Sequence, residues 1–219
     1  MRSHHKFGPS SLKLRKLSPC IQTTDDQNEH TLRGTQLHEA MESLSSANLS
    51  EDDEWAFQDA LQQLQDHDLM NCKCEFLFPS FCEQQLELYA GDNVLTYGTA
   101  DLILQAENEL YLVDYKFGKM RVDEPTENLQ LRAYAAAALQ KYKNYEVCKY
   151  IIIQPKQTYK WGHLDKAQIG TVVDEVKNII NECNIYEASG KIRPNVDSCV
   201  FCKYFGTCSG PVDLLENVI

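Results

Sequence analysis

Two carboxylates and a lysine lie in two short motifs, G-T-A-D ending at Asp101 and D-Y-K from Asp114 to Lys116. Each motif falls on one arm of a predicted β-hairpin. Asp114 and Lys116 are two residues apart on a strand, so their side chains leave the same face. Two carboxylates at the end of a sheet form a hard oxygen site suited to Mg²⁺ or Mn²⁺. An adjacent lysine can stabilise charge on a phosphate oxygen. A surface hairpin carrying a D-x-K ion pair is the alternative interpretation.

Three further side chains could complete such a site. His38 lies in R-G-T-Q-L-H-E on a predicted helix, and a neutral imidazole can bind a metal ion. Gln130 and Tyr134 are four residues apart on another predicted helix, so they share a face and can hydrogen-bond a phosphate or a lysine. Taken singly, a histidine on a helix is usually a solvated or core residue, and the Gln130–Tyr134 pair is an ordinary helix surface.

The cysteines predict a second metal site. Their number is nine, which is odd, and the chain shows no export signal, so a disulfide framework is disfavoured. Three of them form a C-x₂-C-x₅-C motif: Cys199, Cys202 and Cys208. A zinc ion or an iron–sulfur cluster needs a fourth ligand, and the isolated Cys20 is one of several candidates. The other five are expected to be structural: Cys72, Cys74, Cys82, Cys148 and Cys183.

Hydrophobic patterning predicts the elements that position these residues. Helices are predicted over 31–46, Ser50 to Gln65, Pro125 to Tyr142, and 165–187. Strands are predicted over 72–78, 84–90, 95–105, 110–116 and 147–153. This order of helices and strands predicts a mixed α/β sheet flanked by helices, within a single domain.

Composition and charge limit the class of protein. The chain has 219 residues, of which 43% are hydrophobic and 24% charged, as in an ordinary folded domain. No apolar run is long enough to span a bilayer, and the first twenty residues lack the apolar core of a secretory signal. We therefore expect a cytoplasmic protein. Its net charge of −11 argues against coating nucleic acid by bulk charge.

The charge is distributed unevenly along the chain. Residues 1–20 carry five basic side chains and no acid, whereas residues 39–68 carry nine acids and no lysine or arginine. A basic N-terminal arm is compatible with local phosphate contacts. On charge alone, two solvated faces are the simpler interpretation.

The motifs G-T-x-x-H, E, G-T-A-D, D-Y-K and Q-L-x-x-Y, in this order and spacing, resemble the RecB-like branch of the PD-(D/E)XK nucleases. Cys20 and C-x₂-C-x₅-C resemble the iron–sulfur subset of that branch. This subset includes the AddB nuclease domain, CRISPR-associated RecB-like exonucleases and stand-alone phage exonucleases. The resemblance implies a restriction-endonuclease-like core over 31–188. It also implies that segments 10–30 and 189–210 are joined by a four-cysteine cluster.

The resemblance implies a role for each site residue. The implied metal ligands are His38, Asp101, Asp114 and the backbone carbonyl of Tyr115. The implied catalytic group comprises Asp101 and Asp114, Lys116 as the catalytic lysine, Gln130 and Tyr134 as residues that orient it, and Glu75 as an upstream acid. The implied ligands of a [4Fe–4S] cluster are Cys20, Cys199, Cys202 and Cys208. The expected DNA contacts are Lys13, Arg15, Lys16 and Arg132. The chain departs from the family pattern at Ala100, where proline is common.

The function implied is that of a DNA exonuclease acting on free DNA ends, with one or two Mg²⁺ or Mn²⁺ ions and a structural [4Fe–4S] cluster. Its setting would be phage or mobile-element DNA recombination, repair or degradation. A helicase or a single-strand annealing protein is an expected partner, because no motor fits in this chain. Two alternatives stay open: a DNA-binding or partner-binding module on a nuclease fold, and zinc in place of the iron–sulfur cluster.

Overall fold

A computed structural model describes residues 5–23, 29–66, 69, 82–118 and 122–210. The predicted strand over 72–78, with Glu75 and two of the cysteines, lies outside these residues. The described helices are α1 (Leu12–Leu17), α2 (Glu29–Ser43), α3 (Glu51–Asp66), α4 (Leu129–Lys141), α5 (Ile169–Ser189) and α6 (Val196–Cys199). Short 3₁₀ turns precede α1 at Pro9–Ser11 and α5 at Lys166–Gln168. None of these described helices has the length and apolarity that crossing a bilayer demands.

A five-stranded mixed sheet forms the centre of the molecule. Its strands, in both spatial and chain order, are β1 (Cys82–Ala90), β2 (Asn93–Gln105), β3 (Glu109–Tyr115), β4 (Val147–Ile153) and β5 (Lys160–Asp165). All neighbours are antiparallel except β3 and β4, which are parallel. Parallel neighbours need a crossover connection, and α4 lies in it. The predicted mixed sheet with flanking helices is therefore confirmed.

Helices cover both faces of the sheet, and successive side chains of β3 pack alternately against the helices on one face and on the other. Leu110 and Leu112 pack in a hydrophobic cluster with α1, α4 and α5. Val113 and Tyr115 pack in a second cluster with α2 and α3. Because successive strand residues point to opposite faces, Asp114 shares the face of Leu110 and Leu112. Its carboxylate is thereby directed towards α4.

Two predicted helix boundaries differ from the structure for local reasons. Helix α4 begins at Leu129 rather than Pro125, because the Asn128 side chain accepts a hydrogen bond from the Leu131 amide and caps the helix there. Helix α2 ends at Ser43 rather than at residue 46, because Leu44 has a φ of 51°. A left-handed residue terminates an α-helix.

Strand β5 was not predicted, and the helix expected from residue 165 begins only at Ile169. In β5 the exposed residues are Trp161 and His163, and the buried ones are Gly162 and Leu164. The large side chain of Trp161 therefore lies on the solvent-exposed face, whereas the buried face carries Gly162, which has no side chain. This reverses the hydrophobic pattern by which a half-buried strand is recognised.

The described part of the N-terminal arm packs against the body of the protein and is not a solvated tail. Leu12 is fully buried in the cluster beneath α4. The Thr96 hydroxyl in β2 donates a 2.6 Å hydrogen bond to the Phe7 carbonyl. Arg15 is 9% exposed and donates to the Ile21 carbonyl. The arm is therefore part of the fold that surrounds the predicted site.

We expect Gly98→Ala to destabilise the protein by about 1–3 kcal/mol, because the position is too tightly packed for a side chain. A Cβ at residue 98 would lie 2.6 Å from the Tyr134 hydroxyl oxygen and 3.0 Å from Cδ of Pro9. The substitution therefore forces α4 or the N-terminal arm away from β2. Urea unfolding of the variant and the wild type measures the effect.

Gly34→Ala is the matched control, since Gly34 also precedes a threonine but lies within α2. A Cβ there meets nothing within 4 Å. Because glycine disfavours a helix interior, this change should stabilise the protein by about 0.5–1 kcal/mol. Equal effects of the two substitutions would contradict the packing described at Gly98.

Candidate active site

One open cavity of about 530 Å³ collects six of the eight residues predicted to be catalytic or to bind the divalent metal. It lies where β1, β2 and β3 meet α2 and α4. The predicted residues that line it are His38, Asp101, Asp114, Lys116, Gln130 and Tyr134. Residues from four separate parts of the sequence therefore line one space, and their roles stay a prediction.

The potential metal ligands are three side chains on three different elements. His38 on α2, Glu83 on β1 and Asp101 on β2 each offer a ligand atom, and these atoms lie within 4.8 Å of one another. The His38 Nδ1 atom is 3.4 Å from Oδ1 of Asp101. An imidazole and two carboxylates at this spacing can bind a divalent cation.

Glu83 was not identified from the sequence, which pointed instead to Glu75. In the β1–β2 pairing, Cys82 is opposite Leu102 and Gln84 is opposite Ala100, so Glu83 is level with Asp101. Glu83 also has a positive φ of 52°. Such a conformation is uncommon outside glycine and is often found at functional sites. Glu75 itself lies outside the described residues, so its predicted role stays a prediction.

Asp101 connects the end of β3 to the potential metal ligands. Its Oδ2 atom accepts a 2.8 Å hydrogen bond from the Tyr115 amide, while Oδ1 faces His38. The carboxylate is therefore held in a fixed orientation. The Tyr115 side chain is buried beside Phe117, with ring centroids 6.1 Å apart. A role for the Tyr115 carbonyl as a metal ligand stays a prediction.

Asp114 and Lys116 form an ion pair at the inner end of the cavity. The Lys116 Nζ atom lies 2.6 Å from Oδ2 of Asp114, and Lys116 is the first residue after β3. The Gln130 amide donates a 3.2 Å hydrogen bond to Oδ1 of Asp114. Asp114 is only 4% exposed, so it is more deeply buried than its place at a strand end suggests. Gln130 thus contacts Asp114, and through it positions Lys116.

The charge states in the cavity follow from burial and from the neighbouring charges. Burial raises the pKa of Asp114, and the attraction of Lys116 offsets this only in part. Burial lowers the pKa of Lys116, but Asp114 and Asp101 outweigh it and raise that pKa overall. Lys116 is therefore an ammonium group at neutral pH. It can donate hydrogen bonds to an anion, but it cannot act as a base.

His38 is influenced by the same carboxylates. Burial lowers the pKa of His38, but the hydrogen bond to Asp101 and the charges of Asp101 and Asp114 outweigh burial and raise it. Tyr134 is 5% exposed, and burial raises its pKa strongly. The phenol of Tyr134 is therefore a neutral hydrogen-bonding group in the wall of the cavity.

The four cysteines of the predicted cluster line a second cavity, of about 200 Å³. Three of the sulfurs accept backbone N–H groups: Arg193 to Cys20 at 3.3 Å, Asn195 to Cys199 at 3.3 Å, and Gly210 to Cys208 at 3.4 Å. N–H donors directed at sulfur stabilise thiolates that bind metal. Thr23 and Cys202 also form an isolated antiparallel bridge.

A tetrahedral zinc site would bring the sulfurs of these cysteines close together. Zn–S bonds of about 2.3 Å in a tetrahedron place sulfurs about 3.8 Å apart. Among the described residues, only His38, Glu83 and Asp101 form a group of three potential ligands within 4.8 Å of one another. The four cysteine sulfurs do not form such a group in the part of the chain that the structure describes, so no assembled cysteine cluster is seen there. Iron–sulfur and zinc both stay predictions for this place.

The remaining described cysteines are buried in the core, as predicted for structural residues: Cys82, Cys148 and Cys183. Burial raises the pKa of the Cys82 thiol to about 12. A thiol with such a pKa is a poor metal ligand, because thiolates bind metal. The other two predicted structural cysteines, Cys72 and Cys74, lie outside the described residues.

The basic residues predicted to contact DNA are paired with protein groups. Lys13 contacts Asp123 at 2.7 Å. Lys16 and Arg132 both contact Glu175, at 2.8 and 2.9 Å. Arg15 is buried, as described above. Each of these side chains therefore has a structural role, and its contact with DNA stays a prediction.

We expect Glu175→Gln to lower the free energy of unfolding at pH 7 by about 0.5–1 kcal/mol. Burial alone would raise the pKa of Glu175, but Lys16 and Arg132 outweigh it and lower the pKa overall. A lowered pKa contributes stability above the unfolded-state value, about 4.3. That contribution is lost as the pH falls through the folded-state pKa. Chemical denaturation from pH 7 to pH 3 should show the two proteins converging at the acid end.

Glu146→Gln is the control for this prediction. Glu146 contacts Lys166 at 2.7 Å, but its side chain is 74% exposed. Removing an exposed charge of this kind should change stability little at any pH. If Glu175→Gln were as stable as Glu146→Gln at every pH, the ion pairs of Glu175 with Lys16 and Arg132 would contribute nothing to stability.

Comparison with known proteins places the chain in a family. It belongs to the family described as "Protein of unknown function (DUF2800)", whose model matches residues 16–213. No curated protein matches it. A solved structure described as "Crystal structure of SSO0001" is 14% identical, with 85% of this chain and 98% of that chain covered and a TM-score of 0.36. A TM-score this low does not indicate a shared fold or function.

Proposed function

We propose that the chain is a metal-dependent DNA exonuclease of the RecB-like PD-(D/E)XK type, with a restriction-endonuclease-like fold. The observation that carries this proposal is one cavity that receives His38, Glu83, Asp101, Asp114 and Lys116. Metal-assisted hydrolysis of a phosphodiester needs carboxylate ligands and a cationic donor beside them. Action at free DNA ends is the part of the proposal that rests on the family resemblance alone.

His38, Glu83 and Asp101 would hold Mg²⁺ or Mn²⁺, with Asp114 beside them. A divalent ion supplies a Lewis acid for the phosphate and lowers the pKa of its bound water. The chain contributes the fixed orientation of the ligands, since Asp101 is held by the Tyr115 amide at 2.8 Å. Neutral His38 is the form that binds a metal, so its raised pKa predicts stronger metal binding as the pH increases.

Lys116 would stabilise the negative charge that grows on the phosphate oxygens. Its pKa is raised, so the ammonium group is present at neutral pH. Asp114, 2.6 Å away, fixes the position of that group, and Gln130 in turn fixes Asp114. A donor held in place before the reaction costs no reorganisation when charge develops.

The four cysteines would bind a [4Fe–4S] cluster with a structural role. Two observations support this: the four cysteines line one cavity, and three of their sulfurs accept backbone N–H groups. Such a cluster would connect Cys20 to the segment 199–208 and close a loop of nearly the whole chain. Closing so long a loop stabilises mainly by limiting the unfolded state.

The proposal is tested with end-labelled linear DNA and a covalently closed circle of the same sequence. Each is incubated with iron-replete protein and Mg²⁺ or Mn²⁺, with and without EDTA. We expect metal-dependent loss of the linear substrate alone, and the order of label release gives the polarity. Cutting of the circle would contradict the exonuclease mode. No cutting of either substrate would contradict the proposed activity and favour a binding module.

A further inference from the structure

A third cavity, of about 480 Å³, adjoins the active-site cavity and has four cationic side chains but one carboxylate in its lining. We call it the basic cavity. It shares His5, Lys6 and Thr23 with the active-site cavity, so the two spaces have a common wall. The charged residues that line the basic cavity are Lys6, Arg15, Glu187, Lys191 and Lys203.

The charge of the basic cavity is opposite to that of the whole chain. Four cationic side chains face one carboxylate, in a protein whose net charge is −11. Lys6 contacts that carboxylate, Glu187, at 2.5 Å. Within the described part of the chain, no carboxylate pairs with Lys191 or Lys203. A local cluster of positive charge against this background attracts anions.

We propose that the basic cavity binds a phosphate group of the DNA strand whose adjoining nucleotide occupies the active-site cavity. This inference rests on the proposed nuclease function and adds a binding site to it. The shared wall allows one strand to reach both cavities without crossing the protein. Lys191 and Lys203 supply positive charges that no described carboxylate neutralises, although Lys203 Nζ also lies 4.8 Å over the Tyr204 ring.

Aromatic rings at the wall suit the base that would accompany such a phosphate. The rings of His5 and Tyr97 lie 4.8 Å apart, and both residues line the active-site cavity. Bases of single strands stack on aromatic side chains of this kind. On the other side, Arg15 lies 5.0 Å over the Phe7 ring and donates to the Ile21 carbonyl. The guanidinium is thereby held in place before any ligand arrives.

The basic cavity is formed by both terminal segments, not by the sheet. Lys6 and Arg15 come from the N-terminal arm, whereas Lys191 and Lys203 follow α5. The Lys203 amide donates a 2.9 Å hydrogen bond to the Gln22 carbonyl, next to the Thr23–Cys202 bridge. These backbone contacts, which lie beside the four cysteines, therefore hold the two walls of the basic cavity together.

The test is a binding measurement that needs no cleavage. The double variant Lys191→Ala/Lys203→Ala is titrated with a short single-stranded oligonucleotide in EDTA at several salt concentrations. We expect the affinity to fall about tenfold or more and the slope of log K against log salt to decrease by about 1–2. The control is Lys143→Ala/Lys177→Ala, because these lysines are exposed and line none of the three cavities. It should bind as the wild type does.

Three forms of the oligonucleotide distinguish the source of the phosphate. They carry a 5′-phosphate, a 3′-phosphate or hydroxyl groups at both ends. If the basic cavity holds a terminal phosphate, only the matching form loses affinity in the Lys191/Lys203 variant. If it holds an internal phosphodiester, all three forms lose affinity equally. Either result supports the site.

Separate results would overturn this inference and the proposed function. Wild-type affinity and salt slope in the Lys191/Lys203 variant would overturn the phosphate site, even if the wild type cleaves DNA. A wild type whose binding depends on these lysines but which never cleaves DNA would overturn the nuclease proposal alone. Thermal melting checks the fold of the variant, which both exposed positions should leave intact.

Discussion

Asp114→Asn should reduce metal-dependent DNA cleavage by about two to three orders of magnitude or more, while the protein stays folded. Asparagine has the shape of aspartate and can still accept the Gln130 hydrogen bond. It lacks the negative charge that holds Lys116 2.6 Å away and that faces the metal ligands. The initial rate of nucleotide release in Mn²⁺, measured together with thermal melting, gives the effect.

Glu109→Gln is the matched control for this substitution. Glu109 stands at the opposite end of the same strand, β3, and contacts Lys149 at 2.6 Å, much as Asp114 contacts Lys116. It lines no part of the active-site cavity. We expect Glu109→Gln to cleave DNA at the wild-type rate. If Asp114→Asn did so as well, the assignment of the active site would be wrong.

Cys202→Ser has the second largest expected effect, the loss of bound iron and of about 3 kcal/mol or more of stability. Cys202 lies in the cavity that all four predicted cluster ligands share, and its neighbour Thr23 comes from the other end of the chain. Without the fourth thiolate, the cluster would lose a ligand, and only the hydrogen bonds between the two terminal segments would still join them. Iron per chain and the midpoint of urea unfolding measure both effects on anaerobically prepared protein.

Cys148→Ala serves as the control, since Cys148 is a fully buried cysteine of β4. Removing its sulfur should leave the iron content unchanged, although the small void costs some stability. Unaltered iron and unaltered melting in Cys202→Ser would refute the proposed structural cluster. Zinc instead of iron in the wild-type protein would support a zinc site at these four cysteines.

Site residues could be predicted to lie together where they are close in sequence and belong to one strand or one helix. Asp114 lies in β3 and Lys116 directly follows that strand, so an extended backbone over these positions brings their side chains to one face. Gln130 and Tyr134 are one helical turn apart, and both line the active-site cavity. The meeting of these pairs with His38 needed the packing of α2 against the sheet. Motif order indicated that meeting, but spacing could not establish it.

Glu83 shows why the rest could not be predicted. Counting back from the β1–β2 turn, where Ala90 pairs with Asn93, an unbroken ladder would place Cys82 opposite Asp101. The register shifts by one residue between Leu88 and Tyr89, and this bulge brings Glu83 level with Asp101 instead. A shift of one residue exchanges the two faces of a strand. No local sequence signal marks that bulge.

The N-terminal arm was also beyond prediction from charge. Its lysines suggested either a solvated face or contact with DNA, yet its apolar side packs under α4 through Leu12. Its exposed cations are matched by acids that are distant in sequence, such as Glu175 and Glu187. Pairings between residues more than 150 positions apart depend on the tertiary structure. The basic cavity is a feature of the same kind.

The most direct test of the central claim is the rate of linear DNA hydrolysis as a function of Mn²⁺ concentration, for the wild type and Asp101→Asn. We predict a rate that rises to a plateau in the wild type, stops when EDTA is added, and is far lower in the variant at every concentration. Hydrolysis that persists in EDTA, or an Asp101→Asn curve identical to the wild type, would contradict a metal-dependent centre at His38, Glu83 and Asp101.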